Sequence, residues 1–135
     1  MSIVTSPNGN MSCKTRIHAY GFVRLFFAKL RLARNFSVER DSLTDKIYKI
    51  YQSGSFNKLL SSIGFKVFSD SISSQEIEDA VAGLQAVGII GKSNPTYEHI
   101  LLYYMTEQVA ENIVSQYSNE VAINMDSFVA EFLKL

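Results

Sequence analysis

The sequence predicts a mainly α-helical domain with one small β-hairpin and additional helices at its N- and C-terminal ends. Three observations carry this prediction. Several stretches repeat apolar residues at the 3.6-residue period of a helix, most of them behind a serine, threonine or aspartate able to cap the first turn. Two β-branched and aromatic runs flank a single turn-rich tip, Gly91 to Pro95. Across the 135 residues 47% are hydrophobic and 19% charged, the composition of a chain that buries a core.

Residues 1–16 are rich in Ser, Asn, Pro and Gly without an apolar period, and are expected to form a flexible lead. The remaining 17–135 is long enough for one domain, divided into an N-terminal helix arm at 17–40, a core at 41–117 and a C-terminal helix at 118–135. Residues 20–34, YGFVRLFFAKLRLAR, would scatter charge over both faces of a strand but sort well on a helix. Phe22, Phe26, Leu30 and Ala33 then line one broad side, Arg24, Arg31 and Arg34 form a narrow basic stripe beside Tyr20 and Phe27, and Lys29 falls opposite the stripe. So wide an apolar arc demands burial against more than one neighbour, in the same chain or in a second copy.

Residues 35–40 read as a connection. Ser42 followed by Asp45 resembles a capping box, and Leu43, Ile47, Ile50 and Tyr51 continue at helical spacing to about Gln52. Ser53-Gly54-Ser55 breaks that helix. Phe56, Leu59, Leu60 and Ile63 predict a shorter one that Gly64 ends, before a brief strand at Phe65, Val67 and Phe68 and a serine-rich turn over 69–74. Ile77, Val81, Leu84 and Val87 place a helix over 74–87, with Ser73 or Ser74 as cap and Gly88 free to take the left-handed conformation at its end. Glu76, Glu78 and Asp79 suit the positive end of its dipole. Ile89 and Ile90 begin a strand, residues 97–105 supply its antiparallel partner, and Thr106 caps a helix carrying Val109, Ile113, Val114 and Tyr117. Residues 118–125 interrupt the period. Asp126 or Ser127 then caps a last helix bearing Phe128, Val129, Phe132 and Leu133.

The order of helix, glycine, hairpin and threonine-capped helix, carried by LQAVGII, YEHILLYYMT and the helix after Thr106, resembles the second half of a winged-helix domain. The resemblance implies a winged-helix-like body in which the strand at 65–68 is the small first strand. It also implies that the helix before the wing, residues 74–87, is the one such domains commonly place in the major groove of DNA. The outward positions Ser74, Gln75, Glu78, Asp79, Ala82, Gln85 and Ala86 include no Lys or Arg, and the wing tip adds only Lys92, with Asn94 and His99 as further polar groups. Phosphate neutralisation supplies most non-specific DNA affinity, so here the chain departs from the DNA-binding pattern.

Formal net charge is zero, yet unevenly spread. Up to Ile50 nine basic residues face three acids, and from Tyr51 onward four face ten. Halves of opposite sign attract within a molecule, pair between molecules, or serve different partners. Cys13, His18 and His99 are too scattered for a metal site, neither histidine has a nucleophile and an orienting acid near it in sequence, and Gly83, Gly88 and Gly91 do not form a phosphate loop. No enzyme activity and no cofactor are therefore expected.

Two functions remain. The first is a non-enzymatic interaction or regulatory adaptor that holds a protein partner or a second copy through the acidic face of Glu76, Glu78 and Asp79 or through its terminal helices. The second is a DNA-binding regulator with Arg24, Lys29, Arg31 and Arg34 on phosphates, aided by Lys92 and Asn94. A weaker third reading lays residues 20–34 on an anionic membrane surface. A single cysteine, no leader pattern and no apolar run long enough to span a bilayer point to a cytoplasmic setting.

Overall fold

The computed structural model describes residues 17–135; the expected lead, with Cys13, lies outside the described residues. Over the described residues the chain is mainly helical, with five α-helices, a three-stranded antiparallel sheet and a separate two-stranded hairpin. In chain order the elements are α1 (Ala19–Leu32), β1 (Ser37–Glu39), α2 (Arg40–Gln52), β2 (Lys66–Val67), β3 (Ile72–Ser73), α3 (Gln75–Ala86), β4 (Gly91–Lys92), β5 (His99–Leu101), α4 (Glu107–Ser115) and α5 (Asn119–Leu133).

The N-terminal helix, whose wide apolar arc demands more than one neighbour, is the axis of the core. α1 packs against α3, α4 and α5 and buries seven side chains, Phe22, Val23, Leu25, Phe26, Phe27, Ala28 and Leu30. Each fully buried Phe or Leu contributes roughly 1.5–3 kcal/mol relative to exposure, so α1 carries a large share of the hydrophobic driving force. Phe26 meets the rings of Phe128 and Phe132 of α5 edge-on, with centroids 5.4 and 4.9 Å away, a geometry the ring quadrupoles favour. Ala33, expected on the buried side, is exposed because the helix ends at Leu32 and residue 33 is its C-cap.

Several boundaries differ from the sequence reading. The connection at 35–40 contains β1, which pairs with β5, and α2 begins at Arg40. Its N-cap position is Glu39, and Ser42, expected as the cap, instead donates its hydroxyl to Glu39 Oε1 at 2.7 Å. Residues 56–63 form hydrogen-bonded turns without an α-helix, although Leu59, Leu60 and Ile63 still point into the core. The strand expected at 65–68 as the first strand of the hairpin sheet pairs only with β3, inside the predicted serine turn. The strand expected from Ile89 begins at Gly91, within the predicted tip, and its partner shrinks to His99–Leu101. α5 begins at Asn119, where an interruption was expected. Ser118 accepts the Val121 N–H at 3.3 Å there, and Asp126 and Ser127 lie mid-helix.

Other signals hold in the structure. Thr106 Oγ1 accepts the Val109 N–H at 3.1 Å, and Gly88 adopts φ +81°, the left-handed value a side chain would disfavour. The sheet has the order β1-β5-β4. Val38 and Ile100 occupy its core side, while Ser37, Leu101 and Gly91 share the opposite face in register. Tyr104 lies across Gly91, where an added Cβ would collide with its ring.

Candidate functional site

α3 starts where Ser74 closes its first turn: the buried hydroxyl oxygen accepts the Ile77 N–H at 3.3 Å. Ser74 is therefore a cap facing inward, not the outward position its place on the wheel suggests. Glu76 folds back over the same turn. Its Oε1 accepts the Gly64 N–H at 3.1 Å and the Ser74 hydroxyl at 3.4 Å. Hydrogen bonds from its own backbone N–H first, and then from that of Gly64, hold the Glu76 carboxyl below the usual carboxylate range. One of the three carboxylates expected on an interaction face thus ties α3 to the preceding loop.

Glu78 and Asp79 remain exposed on the helix, and the Gln75 amide donates to Asp79 Oδ1 at 2.8 Å. From Val67 through Gly91 the chain carries four carboxylates and no Lys or Arg. Beside α3 lies a cleft of about 350 Å³. Ile77, Val81 and Leu43 are its buried apolar lining, with Ile100 of β5 beneath. Glu78 and Ala82 stand on the α3 rim, and Arg40 and Asp41, in the first turn of α2, on the opposite rim. Thr44 and Ser73 bring hydroxyls to the walls.

One end of the cleft is fixed by Tyr97. Its backbone sits at φ +51°, unusual for a non-glycine, and several contacts hold it there. Its carbonyl accepts from Arg40 Nε at 3.1 Å and its hydroxyl from Gln85 Nε2. Arg40 and Lys92 both approach its ring, 4.6 and 5.4 Å from the centroid. Arg40 Nη2 is also 3.5 Å from Asp41 Oδ1. The guanidinium is largely engaged by these groups. Tyr97 and Arg40 were not singled out from sequence. Fifty-seven residues separate them, and only the folded hairpin brings them together.

The basic residues of α1 are elsewhere and are engaged by the chain itself. Arg24 Nη2 donates to Gln116 Oε1 at 2.7 Å and to the Tyr117 hydroxyl at 3.0 Å. Lys29 pairs with Asp126 at 2.8 Å. Arg31 Nε donates to the Met105 carbonyl at 2.9 Å while its guanidinium lies 4.8 Å from the Phe36 ring centroid. Arg34, at φ +68° beyond the helix, is exposed, as is Asn94 in the hairpin loop. The stripe expected from the sequence is thus divided, and of the other candidate contacts Lys92 joins Arg40 at the Tyr97 ring.

His18 is the N-cap residue of α1, and His99 stands exposed on β5 opposite Glu39. Among the described residues no group of three or more His, Cys, Asp or Glu is placed to hold a metal ion, and no helix is long and apolar enough to cross a membrane. No protein family, curated protein or solved structure matches this chain.

Proposed function

We propose that this chain is a non-enzymatic interaction or regulatory adaptor module on a winged-helix-like body. The observation that carries the reading is the division of its charges. Arg24, Lys29 and Arg31 are hydrogen-bonded or paired inside the chain, while on α3 Glu78 stands on the rim of an apolar cleft and Asp79 is exposed next to it in sequence. Such a face repels phosphate and complements a protein surface. The winged-helix-like reading draws support from the succession α1, β1, α2, α3, β4, β5 and from β5 lying between β1 and β4. The lone cysteine fits a reducing, cytoplasmic setting. DNA binding through α1 has less support, because Lys29 is paired with Asp126 and Arg24 and Arg31 are each tethered to an acceptor within the chain.

A photo-crosslinking amino acid at position 82, on the cleft rim, is expected to capture a protein partner in cells. The same group at position 130, exposed on α5, is not. A labelled duplex titrated at low salt is expected to show no salt-sensitive binding. Steeply salt-dependent binding that disappears in Arg34→Glu would put the DNA reading first.

A further inference from the structure

We infer that the cleft between α2 and α3 receives a basic protein segment in which an aliphatic side chain is flanked by Lys or Arg. This rests on the interaction-module reading and gives the partner a chemistry. The lining of Ile77, Val81 and Leu43 is apolar and its volume of about 350 Å³ suits one or two aliphatic side chains. An apolar lining alone does not select an occupant; the rim does. Glu78 has no cationic partner within the chain among the described residues, and the stretch from Val67 through Gly91 supplies no base to give it one. Across the cleft, Asp41 shares Arg40 at 3.5 Å with the Tyr97 carbonyl and ring, so Arg40 only partly offsets the rim carboxylates. A cation beside the seated aliphatic group therefore meets Glu78 on the rim, whereas an acidic segment is repelled on approach. Position 82 is where a side chain added to the exposed Ala82 would enter the opening.

The test is a selection of displayed random peptides on the full-length protein, followed by binding measurements on individual peptides. Recovered peptides are expected to carry Lys or Arg around an aliphatic residue and to bind less tightly as salt rises. Affinity is expected to fall about tenfold or more in Glu78→Lys and to be lost in Ala82→Arg. Both positions are exposed, and unchanged melting temperatures would show that the variants fold. Neutral or acidic peptides that are lost in Ala82→Arg would overturn the basic occupant while leaving the module reading intact. Basic peptides indifferent to both substitutions would overturn the site. A dimer of the protein alone that Glu78→Lys dissociates in sedimentation would make a second copy the occupant and overturn the inference. Failure to select any peptide, together with no crosslink from position 82, would overturn both readings.

Discussion

α1 and α3 are helices of similar length, 14 and 12 residues, each with an apolar period and a set of charges of one sign. They end in opposite roles. α1 is enclosed by α3, α4 and α5, and its cations are spent on those neighbours or on the loop at Met105. α3 buries one side, Ile77, Ala80, Val81 and Leu84, keeps Glu76 on its own first turn and the Gly64 amide, and turns Glu78 and Asp79 outward. A charged residue on an amphipathic helix therefore informs about a partner only once its neighbours in the fold are known. A cation beside a buried face has intramolecular acceptors within reach; Glu78, on a stretch that carries no base, has no cationic partner among the described residues.

The sharpest way to break this comparison is to empty the middle of α1. Phe26→Ala removes a ring packed among four others and is expected to cost roughly 3–5 kcal/mol, read from chemical denaturation. A small loss would mean that α1 is not the axis of the core. Arg24→Met keeps the apolar stem but leaves Gln116 and the Tyr117 hydroxyl without their donor. It is expected to destabilise by about 1–2 kcal/mol, a loss that a merely solvated arginine would not give. On α3, Ser74→Ala removes a buried cap and is expected to cost about 1 kcal/mol, with α3 amides exchanging faster with solvent than those of α1.

The smallest effect separates Glu76 from the other α3 carboxylates. Its carboxyl is held low in the folded chain, so the stability it contributes is present above the unfolded carboxylate pKa and is lost as pH falls through the folded value. The melting temperature of Glu76→Gln is therefore expected to lie below wild type near neutral pH, the gap closing in acid. A gap independent of pH would remove the ionised contact to Gly64.

Much of the helical content was legible from sequence because its signals are local. Ser74 and Thr106 cap as expected, Gly88 ends α3, and Phe22, Phe26 and Leu30 face the core. Some of the misses come from non-local pairing and others from weak local signals. β1 is a three-residue strand that exists only because β5 lies beside it, and Ser37-Val38-Glu39 has no sequence pattern long enough to announce it. Ser118 was overlooked as a cap because Glu120, Ile123 and Asn124 dilute the apolar period that α5 nonetheless keeps through Val121, Met125 and Phe128. Of the candidate site, the sign of α3 was readable and the cleft was not, since its two walls come from different helices and its end from the hairpin.

The sequence by itself determined the caps of α3 and α4, the glycine that ends α3, which side of the long helices is apolar, and that α3 carries acids without a base. Only the tertiary structure decided that α1 sits at the centre and that its arginines are engaged. Arg31 finds Met105 74 residues away and Arg24 finds Tyr117 93 residues away. Periodicity acts over a few residues, whereas the acceptors that occupy a side chain are assigned by packing between distant parts of the chain.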